Sequence, residues 1–241
     1  NLAGITTAEL HRSGAGAGWL MSPPCQPFTQ KGEQRDLDDP RTVPLLRLIR
    51  LLHEVMPPFL LLENVPPFGA SETRDRLVRK LTSLEYHLRE VEICPTELGI
   101  PNLRRRYYLV ARRTPLPEPP PLVPVGRPLA DYLDPSPDPA LIVDRDVVRR
   151  RGRGMDFVTP ESPRTACFGS SYGRAEKRAG SVLSADGVVR RFSPEEMLRL
   201  LHFPVGVSFP PDLPVRARYK LAGNSVNVAV LRHLVDWALM Q

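Results

Sequence analysis

The residues best suited to chemistry are a cysteine and a glutamate that each follow a short apolar run. Cys25 lies within the proline-rich segment Pro23–Pro27, directly after the apolar run Gly18–Met21, and Glu63 follows the second run, Phe59–Leu62. The flanking prolines restrict φ and exclude this segment from a helix interior. The Cys25 sulfur is therefore expected to be accessible rather than packed in the core. An isolated intracellular cysteine is more often a packed residue, but this context favours a nucleophile beside an acid.

The elements that must position these residues read as strand, helix, strand. Both apolar runs are short enough for buried strands, and Thr42–Val55 between them repeats leucine and isoleucine at helical spacing before Pro57. Parallel strands joined in this way end at the same edge of a sheet, where functional loops gather. The sequence therefore predicts that Cys25 and Glu63 share one edge.

Further elements follow along the chain. Arg74–Leu84 is predicted to be a helix, Leu88–Ile93 a strand, and Arg106–Arg112 an alternating strand. Because side chains alternate along a strand, Arg104 and Arg106 are expected on one face of it. Near the end of the chain, a last helix is predicted over Asn224–Met240.

Four blocks carry a resemblance to a known family. In chain order they are Met21–Thr29, Leu62–Val65, Pro101–Val110 and Gly223–Asn227. With them, the chain resembles the cytosine-5 methyltransferases from Leu2 to about Leu234. It is most similar to the type-two DNA methyltransferase homologues, which act as tRNA (cytosine-5) methyltransferases. The resemblance implies an α/β fold, a Rossmann-like S-adenosylmethionine-dependent methyltransferase sheet with a small target-recognition subdomain.

The resemblance also implies roles for individual residues. Cys25 would add to carbon-6 of the cytosine, and Glu63 would protonate or hydrogen-bond the ring nitrogen beside the exocyclic amine. Arg104 and Arg106 match the paired catalytic arginines, one for the cytosine carbonyl and the other for a phosphate or the cysteine loop. The S-adenosylmethionine site would include Ser22, Pro24, Asn224 and Ser225. Substrate contacts are expected from Gln26, Asn64, Cys167, Phe168 and Tyr172.

Two departures from the family pattern stand out. Cys167-Phe168-Gly169 replaces the family's usual Cys-Phe-Thr. This difference concerns the assignment to the subfamily and not the predicted chemistry. The family's first strand, its Gly-rich cofactor loop and its ribose-binding acid do not precede Cys25, so the sequence is expected to be incomplete at its N-terminus.

The predicted domain organisation follows the prolines, of which the chain has 28. Residues 1–113 are assigned to the first part of the catalytic domain and 114–128 to a proline-rich linker. Residues 129–192 are assigned to the small target-recognition subdomain, and 193–241 return to the catalytic domain.

Composition narrows the class of protein. The net charge is +6, with arginine clusters at 104–106, 112–113 and 149–151 that suit a phosphate backbone. Three widely spaced cysteines predict neither a disulfide framework nor a metal site. No membrane segment and no protein partner are expected. The predicted location is the cytoplasm, and also the nucleus if the source is a eukaryote.

Three functions stay open at this point. The first is methylation of carbon-5 of cytosine in tRNA, the second is the same reaction on DNA, and the third is a non-catalytic nucleic-acid-binding remnant.

Overall fold

A computed structural model describes residues 2–12, 14, 16–29, 35–174 and 179–240. The chain forms two compact units. The first unit comprises Asn1–Ile93, Arg105–Pro121 and His233–Gln241, and the second comprises Cys94–Arg104 and Leu122–Arg232. These boundaries follow compactness alone, whereas the predicted domains follow function. The assignment of 129–192 to target recognition therefore stays a prediction.

The first unit is built on a mixed four-stranded sheet, whose strands in spatial order are β1 (Trp19–Met21), β2 (Phe59–Asn64), β4 (Arg106–Arg112) and β3 (His87–Ile93). β1 and β2 are parallel, as the strand–helix–strand pattern predicted, and β4 runs antiparallel to both β2 and β3. The elements in chain order are α1 (Thr7–Arg12), β1 (Trp19–Met21), α2 (Val43–Val55), β2 (Phe59–Asn64), α3 (Glu72–Ser83), β3 (His87–Ile93) and β4 (Arg106–Arg112).

Helices α2 and α3 cover one face of this sheet. Leu52 of α2 and Leu77 of α3 are fully buried in one cluster with Leu60 of β2 and Leu109 of β4. Local signals set the helix ends. Ser71 caps α3 by accepting a hydrogen bond from the Arg74 amide at 3.0 Å, and α2 ends just before two prolines that cannot continue it.

The second unit packs helices around a smaller sheet of three strands, β5 (Asp156–Val158), β6 (Ser181–Ala185) and β7 (Val188–Arg191). In this sheet β5 and β6 are parallel, and β6 and β7 are antiparallel. The core of the second unit contains Phe168, Tyr172 and Phe192. Residues 114–128 form neither helix nor strand, and their assignment as a linker stays a prediction. The elements are α4 (Arg145–Arg151), β5 (Asp156–Val158), β6 (Ser181–Ala185), β7 (Val188–Arg191), α5 (Pro194–Leu200) and α6 (Val215–Asn224).

The end of the chain corrects one prediction. Instead of one helix from residue 224, α6 ends at Asn224 and a separate helix, α7 (Val228–Leu239), follows. Two hydrogen bonds stabilise the break between α6 and α7. The Val228 amide donates to the Leu201 carbonyl at 2.8 Å, and the Asn227 side chain accepts from the Val230 amide at 3.1 Å. In the described part of the chain, none of the helices is long and apolar enough to cross a membrane.

Candidate active site

The parallel pairing of β1 and β2 brings the two predicted catalytic segments to one edge of the sheet. Met21 lies opposite Leu62 in the register of β1 and β2. The residues that follow them in the sequence, Ser22 and Glu63, are therefore neighbours. The Ser22 hydroxyl donates to Glu63 Oε2 at 2.5 Å. One residue further, the Asn64 amide donates to the Pro23 carbonyl at 3.3 Å. These two bonds tie the cysteine segment to the end of β2.

Cys25 lies in a tight turn at this edge. The amides of Phe28 and Thr29 both donate to the Cys25 carbonyl, at 2.9 and 3.1 Å. The Cys25 side chain is half-buried, whereas Pro24 and Gln26 on either side are exposed. The thiol is therefore reachable from solvent on a turn whose backbone is held by its own hydrogen bonds.

Glu63 is 8% exposed and both of its carboxylate oxygens have partners. Oε1 lies 3.2 Å from Nε of Arg106, and Oε2 accepts from Ser22. Arg106 also donates from Nη1 to the Arg105 carbonyl at 2.8 Å. Because β4 runs antiparallel to β2, its first residue meets the last residues of β2, and this places the guanidinium beside the carboxylate.

A chain of aromatic contacts anchors the cysteine turn, and the sequence analysis did not identify it. Phe28 is buried with its ring edge-on to Phe68 at a centroid distance of 4.9 Å, and Phe68 lies 5.3 Å from Tyr107. The Tyr107 hydroxyl donates to Glu90 at 2.5 Å, and Glu90 accepts two bonds from Arg74. Burial, and then the bond to Glu90, raise the pKa of Tyr107, so it stays a neutral donor.

In principle the sequence contained one signal for this anchor. Phe28 belongs to the cysteine motif, and an aromatic residue so close to a presented thiol needs a core to pack into. Its partners come from three other segments, and no local pattern links them.

Arg104 lies outside the strand on which it was expected. β4 begins at Arg106, so the prediction that both arginines lie on one strand face is wrong. The Arg104 side chain belongs to the second unit and is 5% exposed. Its Nη1 donates to the Phe168 carbonyl at 3.2 Å and lies 3.5 Å from Cys167 Sγ, and its Nη2 donates to the carbonyls of Gly223 and Ser225.

Phe168 and Tyr172, two of the predicted substrate-binding residues, are buried in the core of the second unit at 4% and 3% exposure. The Tyr172 hydroxyl donates to the Ser181 carbonyl at 2.6 Å and accepts from the Phe192 amide at 2.9 Å. Burial raises the pKa of Tyr172. Cys167 beside them is half-buried.

Gly223 and Asn224 are the last two residues of α6, and Ser225 follows directly. A Cβ on Gly223 would lie 2.5 Å from the Gly169 carbonyl group, so only glycine fits there. A Cβ on Gly169 would meet nothing nearer than the Ala179 oxygen at 3.9 Å, and the departure from the family's threonine therefore leaves open space. The Asn224 side chain is exposed, and the Ser225 hydroxyl donates to the Leu221 carbonyl at 2.9 Å.

The predicted site residues thus form two sets. Within the first unit the structure brings together Cys25, Ser22, Glu63, Asn64 and Arg106, with Pro24 and Gln26 on the same loop. Within the second unit, Arg104 contacts Cys167 and the backbone of Phe168 and Ser225.

Comparisons with known proteins bear on the family and the fold of the chain. The profile of the family described as C-5 cytosine-specific DNA methylase matches residues 18–136. A protein of Spodoptera frugiperda named tRNA (cytosine(38)-C(5))-methyltransferase is 30% identical over 256 residues, which cover 90% of this chain and 77% of that protein.

Solved structures show the same fold. The Entamoeba histolytica methyltransferase EhMeth has a TM-score of 0.93 at 26% identity, covering 99% of this chain and 81% of that one. The S. pombe Dnmt2 methyltransferase has a TM-score of 0.86 at 28% identity, covering 99% of this chain and 82% of that one. The α/β methyltransferase fold expected from the sequence is therefore confirmed, and the chain belongs to the C-5 cytosine-specific methyltransferase family.

Proposed function

We propose that this protein transfers a methyl group to carbon-5 of a cytosine in tRNA, with Cys25 as the nucleophile. The observation that carries the proposal is the shared edge at the ends of β1 and β2. There the cysteine turn and Glu63 are joined through Ser22 at 2.5 Å. The Spodoptera frugiperda relative, named for cytosine 38 of tRNA, supports tRNA as the substrate and position 38 as the target.

Cys25 solves the main chemical difficulty, which is that carbon-5 of cytosine is a poor nucleophile. The thiolate forms a bond to carbon-6, and the displaced ring electrons make carbon-5 an enamine carbon. When bound, S-adenosylmethionine supplies the electrophilic methyl group. Loss of the carbon-5 proton then releases Cys25, and the carbon–sulfur bond breaks. The turn at Cys25 holds the sulfur in place through this cycle.

Glu63 is proposed to share a proton with the ring nitrogen that gains electron density as Cys25 adds. The Arg106 guanidinium and the Ser22 hydroxyl fix the orientation of its carboxylate. Because two partners already hold the Glu63 carboxylate, it loses little conformational freedom when the cytosine binds. A site that is preorganised in this way lowers the activation barrier. Asn64 is proposed to brace the Pro23 carbonyl rather than to react.

The residues at the ends of β1 and β2 fit S-adenosylmethionine. Leu20 on β1 is 57% exposed on the face opposite to the helix-covered core, an apolar surface that suits an adenine ring. The exposed Ser22 and Pro24 lie beside the nucleophile. In the second unit, the exposed Asn224 side chain forms no hydrogen bond with any described residue, and the cofactor-binding roles of Asn224 and Ser225 stay predictions.

The second unit is proposed to recognise the RNA, chiefly through residues 129–192. Because Phe168 and Tyr172 are buried, we assign them to the core that supports this surface. Arg104 is proposed to position the Ser225 turn and the Cys167 segment, and the exposed Gln26 to contact the base. With tRNA as the substrate, we propose a cytoplasmic location, and also a nuclear one if the source is a eukaryote.

Methyl transfer to tRNA and to duplex DNA distinguishes the candidate functions. We expect methylation of tRNA that disappears when cytosine 38 is replaced by uridine, with no methylation of DNA. Methylation of DNA alone would favour the DNA reaction, which the description of the family profile names. Binding of tRNA without turnover would support a non-catalytic remnant.

A further inference from the structure

A groove between helices α2 and α3 of the first unit is lined by several positively charged side chains. None of the proposed catalytic residues lines this groove. The groove has a volume of about 690 Å³, and Ile49, Leu51 and Ser83 lie in its lining. One carboxylate lines the groove, that of Glu54. Five cationic side chains also line it, those of Arg47, Arg50, Arg76, Arg79 and Lys80. This basic groove differs from the three arginine clusters visible in the sequence.

Partners within the protein neutralise only part of this charge. Arg76 lies 3.4 Å from Glu72, and Arg47 donates from Nε to the Ile5 carbonyl at 3.0 Å. The side chains of Arg50, Arg79 and Lys80 form no ion pair or hydrogen bond with any residue that the structure describes. Arg50 and Arg79 are exposed and Lys80 is half-buried.

Helix stability does not explain the pattern. Cations near a helix C-terminus interact favourably with the macrodipole, which accounts for Arg79 and Lys80 near the end of α3. Arg47 and Arg50 lie one to two turns before the end of α2 at Val55. On α3, Arg76 and Lys80 are four residues apart, and like charges at this spacing destabilise a helix by about 0.2–0.5 kcal/mol. An anionic partner would remove this repulsion.

The position of the basic groove relates it to the catalytic edge. Helices α2 and α3 each follow a strand that ends at this edge, so both helices begin there. Arg47 and Arg76 are each the fifth residue of their helix, about 6 Å along the axis from its start. From Arg76 to Ser83 the groove continues for about 10 Å. It therefore leads away from the edge that holds Cys25.

We propose that the basic groove binds the phosphodiester backbone of the RNA whose cytosine is methylated, and this rests on the proposed function. Rows of cations on two adjacent helices, about 8–10 Å apart, suit an extended polyanion better than a single small anion. Guanidinium groups pair with phosphate oxygens through two parallel hydrogen bonds. The groove contributes affinity for the RNA and takes no part in bond making.

The test is the salt dependence of tRNA binding by a variant with Arg50→Gln, Arg79→Gln and Lys80→Gln. Each lost phosphate contact reduces the slope of log affinity against log salt by about 1, so a reduction of about 2–3 is expected. The dissociation constant for tRNA should rise at least about tenfold at low salt. The methylation rate at saturating tRNA should stay unchanged.

Arg89→Gln is the matched control. Arg89 is on β3 of the same unit and is 57% exposed. Its neighbour Leu88 packs against the core on the α2/α3 side of the sheet, so Arg89 points to the opposite face. We expect its slope to equal that of the unmodified protein. The double variant Arg79→Gln, Lys80→Gln repeats the test if the triple variant does not fold.

The outcomes separate this inference from the proposed function. Equal slopes and affinities for the triple variant and the unmodified protein would overturn the inference, as would an equal loss in Arg89→Gln. Loss of poly-glutamate binding with tRNA binding intact would assign the groove to an acidic protein segment and also overturn it. Failure of the proposed function would instead appear as absent methylation with the salt effect still present.

Discussion

Replacing Glu63 with glutamine tests the acid role with little change in shape. In the protein, Arg106 lies 3.2 Å from one carboxylate oxygen and Ser22 donates to the other at 2.5 Å. Glutamine keeps the size of the side chain and one acceptor oxygen. It loses the negative charge and the ability to share a proton with the cytosine ring.

The expected effect on rate is large. A positioned general acid contributes about 10²–10⁴-fold, so we expect Glu63→Gln to slow the chemical step at least about 100-fold, or about 2.7 kcal/mol. The effect on stability should be smaller. Removing one partner of a fully buried pair costs about 3–5 kcal/mol, but Arg106 is 17% exposed and keeps its bond to the Arg105 carbonyl. We therefore expect about 1–2 kcal/mol.

The assay is single-turnover methyl transfer with saturating protein, beside tRNA binding and urea unfolding. The rate should fall while the dissociation constant for tRNA changes by less than about threefold, since the ring gains electrons only after Cys25 adds. Ser22→Ala is the matched control. It removes one hydrogen bond to the carboxylate, about 1.5–3 kcal/mol, and should slow transfer less than Glu63→Gln does.

Two results would refute the reasoning. One is an unchanged rate in Glu63→Gln. The other is weaker tRNA binding with a normal rate once the RNA is bound, because it would make Glu63 a binding residue.

Three further predictions concern single residues. Cys25→Ser should abolish turnover with the fold intact, because a hydroxyl is a weaker nucleophile of similar size. With a 5-fluorocytosine tRNA the unmodified protein should form a stable adduct, and peptide mapping of that adduct to Cys167 would contradict the assignment. Arg104→Ala should lower both tRNA affinity and rate, and also the melting temperature, because it removes hydrogen bonds to three backbone carbonyls; unchanged kinetics would exclude it from the site. Tyr172→Phe leaves the Phe192 amide and the Ser181 carbonyl without their partner, so urea unfolding should show a loss of about 2–4 kcal/mol, and a smaller loss would indicate that water replaces the hydroxyl.

The sequence by itself determined the elements at the catalytic edge and the family. Proline placement and apolar periodicity located β1, α2 and β2 to within a few residues, because both are local properties of the chain. The same local logic predicted Cys25 and Glu63 as site residues, since each follows a short apolar run.

Only the tertiary structure decided which partners these residues have. Glu63 and Arg106 are 43 positions apart in the sequence, and the antiparallel pairing of β2 with β4 brings them together. The direction of a strand is not visible in a short apolar run. Arg104 illustrates the same limit, because alternation placed it with Arg106 while its actual contacts are backbone carbonyls far along the chain. The basic groove likewise exists only once α2 and α3 lie side by side. Contacts between distant segments depend on the packing of the whole unit, and that packing is the part of the fold that local sequence patterns do not encode.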